Sequence, residues 1–204
     1  MAQYFQQLQS LIPQIKAYSP RHPQDAFFIQ EVLRFHSVAG TIEQSFKNIS
    51  TNIDERIMSH ILIRSIIENY FKLLYIYDDP AKSQARFDEC VSGFKIQYSK
   101  LYNDQWLPNK NQLEPADPSW PALRNPLDLN SMIAAIMNIH GNRLSYLYFV
   151  YRISSFDTHG NSLEALFEAS FSKTPCNFPV LKVDQVTELI ANEYLVIWNN
   201  GNIP

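Results

Sequence analysis

Apolar residues recur along most of this chain at steps of three and four, and strict alternation is nearly absent. That period predicts helices and no sheet, so the expected fold is all-α. The first apolar set is Tyr4, Phe5, Leu8, Leu11, Ile12 and Ile15, on a helix over 2–18 that Pro13 should kink or end. A connector with Pro20 and Pro23 leads to a second helix over 24–49, carried by Phe27, Phe28, Val32, Phe35, Ile42 and Phe46. Asn52 can cap a third helix over 53–77, with Glu55 completing a capping box. This helix is apolar nearly all round, which places it at the centre of a bundle, and Asp78-Asp79-Pro80 stops it.

A more polar helix is expected over 81–101. Residues 103–127 then carry Pro108, Pro115, Pro118, Pro121 and Pro126. They read as a long proline-rich loop that Trp106 and Trp120 pack onto the bundle. Asp128 or Asn130 should cap a helix through residue 139. His140-Gly141-Asn142 is a break, and an aromatic-rich helix follows over 143–159, with Gly160 suited to its C′ position. A short helix is expected from Asn161, irregular chain over 175–179, and an amphipathic helix over 183–199. With no repeat and no composition break, the reading is a single-domain helical bundle with its core over about 24–170.

Composition narrows the classes. Of 204 residues, 46% are hydrophobic and 18% charged, which suits a globular protein. The net charge of −3 supplies no global field toward nucleic acid or anionic lipid, although a local basic patch is compatible with it. The segment MAQYFQQLQSLIPQIK lacks the pattern of a signal peptide, and Arg64, Glu68, Lys72 and Arg152 interrupt the longest apolar runs. No membrane span is expected. Cys90 and Cys176 form no CxxC, which favours a reducing, cytoplasmic setting.

The chemistry concentrates in Tyr151-Arg152-Ile153-Ser154-Ser155-Phe156-Asp157-Thr158-His159-Gly160. Seven helical steps return to within about 20° of the starting face, about 10.5 Å along the axis. Arg152 and His159 should share a stripe with Ser145, Tyr148 and Ser155. Arg152 suits a phosphate or an oxyanion. His159, in the last turn, suits proton transfer near neutral pH. Arg64 and Glu68, one turn apart in the apolar third helix, read either as a structural ion pair or as a polar pocket in which Glu68 holds Arg152. His22, His36, His60 and His140 are scattered and read as surface or core histidines, so no metal site and no cofactor is expected. The five glycines form neither GxGxxG nor a P-loop, and HExxH, Glu-x-x-His and GxSxG are all absent.

Two segments, RSIIENYFKLLYIYDDP at 64–80 and LSYLYFVYRISSFDTHGNSLEAL at 144–166, together resemble a widespread uncharacterised family of helical bacterial proteins. Its members join an Arg-x3-Glu helix to a Tyr-Arg-x2-Ser-x3-His-Gly segment. More distantly, the Arg-x6-His element resembles the signature of HEPN proteins, helical bundles that include many metal-independent ribonucleases of toxin, antiviral and CRISPR systems, usually dimeric. That resemblance implies that His159 handles the proton of an RNA 2′-hydroxyl or of the leaving group, and that Arg152 steadies the phosphate. It implies RNA or a nucleotide as ligand, with Arg64, Glu68, Tyr148 and Ser155 in supporting positions, and a homo-oligomer. The alternative is a non-enzymatic interaction protein or a small-molecule binder whose polar stripe sets helix registry.

Overall fold

The computed structural model describes residues 3–137, 142–159 and 181–199. Among them the fold is all-α, with no strand: α1 Gln3–Ala17, α2 Pro23–Ser45, α3 Ile53–Tyr77, α4 Ser83–Tyr102, α5 Leu129–Ala135, α6 Asn142–His159 and α7 Val183–Asn199. No helix among the described residues is long and apolar enough to cross a membrane. The chain gathers into two compact units, residues 1–70 with 138–204, and residues 71–137. The expected elements at 161 and at 175–179, the C′ position of Gly160 and Cys176 lie outside the described residues.

In the first unit α1 packs against α2 and α7. Tyr194 of α7 is buried at the centre. The rings of Phe35 and Phe28 meet it edge-on at 5.2 and 6.0 Å, and Tyr70 of α3 lies at 6.1 Å. Such edge contacts set the positive rim of one ring against the negative face of the next. Phe5, Leu8, Ile12 and Ile15 bring α1 into the same core, which therefore reaches outside 24–170 at both ends. Pro13 does not end α1, because it sits on the exposed side while Ile12 and Ile15 on either side of it are buried. Packing of this apolar face outweighs the hydrogen bond that proline cannot donate. A residue far away in sequence caps this helix: Glu188 of α7 accepts the Tyr4 N–H at 2.8 Å and the Phe5 N–H at 3.1 Å. Those donors have no partner within the helix itself.

α2 ends at Ser45, short of the expected 49, where Phe46 turns to extended backbone. The cap of α3 is half the expected box. Asn52 Oδ1 accepts the Glu55 N–H at 3.2 Å, but Glu55 Oε2 reaches back to the Asn48 N–H, 2.7 Å away, instead of to Asn52. The turn Asn48–Asn52 brings that earlier donor closer.

In the second unit, Arg86 of α4 joins the end of α3 to α5. Its guanidinium donates to Tyr75 O at 2.7 Å and to Ala135 O at 3.2 Å, and Nη1 lies 3.7 Å from Asp78 Oδ2. It also stacks over the Tyr75 ring, 4.5 Å from the centroid. The two carbonyls belong to the last turns of two helices, where a cation is favoured and acceptors lack helical partners. Asp78 Oδ2 in turn accepts the Met137 N–H at 2.8 Å. Tyr75 Oη donates to Glu89 Oε2 at 3.0 Å, and Glu89 Oε1 takes the Leu127 N–H. α5 ends at Ala135, before the expected 139, and Asp128 rather than Asn130 caps it through the Ser131 N–H at 2.8 Å.

The proline-rich segment contains two 3₁₀ turns, Lys110–Gln112 and Trp120–Ala122. Trp120 packs edge-on against Tyr98 of α4 at 6.0 Å, whereas Trp106 is 83% exposed. Pro126 lies so close to Gly93 that a Cβ there would sit 2.6 Å from the proline Cγ.

Candidate functional site

α6 runs unbroken from Asn142 to His159, so the backbone register of Arg152 and His159 is that of one helical rod. Leu144, Leu147, Val150 and Ser154 are buried and define its inner side. Ser145, Phe149 and Arg152 are exposed and define the outer one. Arg143, in the first turn, reaches Glu193 of α7, with Nη1 3.7 Å from Oε2, and ties this end of the helix to the core. Burial first, and the Glu193 carboxylate second, push the Tyr70 hydroxyl far above its ordinary value, while Arg143 opposes them.

The residue that meets α3 is Tyr151, not Arg152. Arg64 Nη2 donates to Tyr151 Oη at 3.3 Å, and its guanidinium stands 5.2 Å from the centroid of the tyrosine ring. Tyr148 stacks on Tyr151 at 6.3 Å and 17°. Successive residues point about 100° apart on a helix. A helix that turns Tyr151 toward α3 therefore turns Arg152 to solvent, and the contact between α3 and α6 at this level is Arg64 with Tyr151.

Ser155 is half-buried and donates to Tyr151 O at 2.8 Å, as the buried Ser154 does at 3.0 Å. Both hydroxyl protons thus serve the helix backbone. Glu68 is half-buried one turn beyond Arg64. The side chain of His159 lies outside the described residues.

Arg56, missed in the sequence reading, and His60, read there only as a scattered surface or core histidine, extend the Arg64–Glu68 stripe. Arg56 is 5% exposed and His60 fully buried, so α3 carries Arg56, His60, Arg64 and Glu68 at steps of four along one side. The signal was legible as ionisable side chains recurring every four residues in a largely apolar helix. Elsewhere in this unit, a cavity of about 710 Å³ opens between α1, α2 and α7, lined among others by Tyr4, Phe5, Ile42, Phe46 and Glu188. Among the described residues, no three His, Cys, Asp or Glu side chains are grouped to hold a metal ion. Comparison with models of known families, with curated proteins and with solved structures finds no match to this chain.

Proposed function

We propose that the chain is a HEPN-like RNA-binding protein that cleaves RNA without a metal, working in the bacterial cytoplasm in a defence or toxin system. The observation that carries this reading is the unbroken α6, with Arg152 on its solvent side and His159 seven residues on at its end. In this scheme Arg152 holds a phosphate oxygen and offsets the charge that grows on the pentacoordinate phosphorus. His159 takes the proton of the 2′-hydroxyl as that oxygen attacks phosphorus, and the bond to the 5′-oxygen breaks. A proton returns to the leaving oxygen, and the products are a 2′,3′-cyclic phosphate and a 5′-hydroxyl. Arg64, with Tyr151 and the stacked Tyr148, stiffens the helix behind the site. Phe149, 50% exposed beside Arg152, supports pairing of this face with that of a second copy, which would set two such stripes around one strand.

Purified protein in excess EDTA should nick single-stranded RNA, and His159→Ala should abolish the activity. Equal nicking by the alanine variant would end this reading. The 710 Å³ cavity favours a second reading, a small-molecule binder without catalysis. A ligand that raises the melting temperature and loses that effect in Phe46→Ala, with no RNA cleavage, would replace the first.

A further inference from the structure

The second unit exposes aromatic rings in a row. Phe94, Tyr98 and Tyr102 follow one another at steps of four along α4, stacked at 6.1 Å and 23° and then at 6.0 Å and 25°. Trp120 from the proline-rich segment closes on Tyr98 from the side. Tyr98 Oη donates to Glu114 O at 2.6 Å, so its polar end is already satisfied. Phe94, at one end of the row, is 68% exposed, and Trp106, four residues beyond Tyr102 in the sequence, is 83% exposed. Two ammonium groups stand among the rings, Lys95 at 5.7 Å from the Trp120 centroid and Lys110 at 4.4 Å from that of Tyr102.

We propose that this row, together with the exposed Trp106, is a stacking platform for single-stranded nucleic acid, on which bases stack against Phe94 and Trp106 while Lys95 and Lys110 meet phosphates. Open ring faces with cations beside them match a flexible polyanion whose every unit carries a flat face. A neutral peptide would have no use for the two ammonium groups. Asp104 and Asp117 lie on the same segment, but their carboxylates are turned onto the backbone, at the N–H groups of Trp106 and Ser119, both at 2.8 Å. Their charge balances that of the lysines, so stacking and not a basic field must carry the affinity. Single strands should therefore bind and duplexes, whose base faces are hidden, should not. The inference rests on the RNA reading for its natural ligand, while the binding itself is measured apart from cleavage.

The test is fluorescence anisotropy of the full chain with labelled oligothymidylate of about 12 nucleotides. This probe has no 2′-hydroxyl and cannot be cut by the route above. Wild type should bind it, and Phe94→Ala and Trp106→Ala should each weaken binding roughly tenfold. The slope of log K against log salt should be about −1.4 for two phosphates and fall by about half in Lys95→Ala or Lys110→Ala. Both aromatic side chains are exposed, so the variants should melt as wild type does. No binding by wild type, unchanged binding by both aromatic variants, equal binding of a duplex, or preference for a proline-rich peptide over the oligonucleotide would each overturn the proposal. Binding without any RNA cleavage would sink the ribonuclease reading and leave the platform standing, and cleavage without oligothymidylate binding would do the reverse.

Discussion

Replacing Arg86 by methionine removes the charge that joins three segments of the second unit and keeps most of the side-chain volume. Arg86 is 6% exposed, and its guanidinium donates to Tyr75 O at 2.7 Å and Ala135 O at 3.2 Å. A hydrogen bond from a charged donor is worth about 1.5–3 kcal/mol. Its ion-pair partner Asp78 has a side chain with no solvent exposure, 3.7 Å away. Breaking such a buried pair from one side costs about 3–5 kcal/mol, since the remaining charge has no counterion. These contributions overlap, because the same substitution removes all of them, so the expected loss is about 3–5 kcal/mol and not their sum. That is a large part of the 5–15 kcal/mol typical of a folded domain. Urea unfolding at neutral pH, followed by circular dichroism, would read it as a lower midpoint at constant slope. Adding Asp78→Asn should recover part of the loss, since the asparagine carries no stranded charge and can still accept the Met137 N–H. A stability of Arg86→Met within about 0.5 kcal/mol of wild type would refute the reasoning, because a change that small is ordinary for a surface position.

Three further outcomes follow from the packing. Gly93→Ala gains up to about 1 kcal/mol of helix propensity but drives a Cβ into Pro126, at about 1–3 kcal/mol. The melting temperature should fall, and a rise would show that the loop yields freely. Glu188→Ala removes the acceptor of two α1 N–H groups, so it should cost about 1 kcal/mol and speed amide exchange in the first turn of α1. Unchanged exchange there would contradict this cap. For Cys90, burial first and the Glu89 carboxylate second push the thiol up to about 11 from an ordinary 9.0. The fold thus favours the neutral thiol. The stability this contributes is present below pH 9 and is lost as pH rises toward 11, where the unfolded chain ionises first. Iodoacetamide at pH 8 should label native Cys90 about a hundredfold more slowly than unfolded chain, and equal rates would contradict the shift.

Legibility in the sequence followed the range of the interactions. The bounds of α3 could be read because its start and stop are local: an asparagine cap at one end and Asp78-Asp79-Pro80 at the other. The persistence of α1 through Pro13 could not, because the packing and the Glu188 cap that maintain it come from the far end of the chain. Arg86 carried no sequence signal, since its two carbonyl partners lie 11 and 49 residues away. In the candidate site, the continuity of α6 and the shared register of Arg152 and His159 followed from spacing alone. Which side faces inward did not. α6 has apolar or aromatic residues on every side, Phe149 on the solvent face among them, so periodicity could not choose between Tyr151 and its neighbour. That choice moved the inward contact to Arg64 and Tyr151 and left Arg152 open.

The most direct measurement is cleavage of a labelled single-stranded RNA in excess EDTA by wild type, Arg152→Ala and His159→Ala, with a fully 2′-O-methylated RNA alongside. Wild type should cut the unmodified RNA to 2′,3′-cyclic phosphate ends and spare the methylated one. Each variant should lose about 10²–10⁴-fold in rate while its melting temperature stays within a few degrees of wild type. Cleavage that persists in both variants, or on methylated RNA, would contradict a catalytic role for this face of α6. So would a wild-type protein that leaves RNA intact.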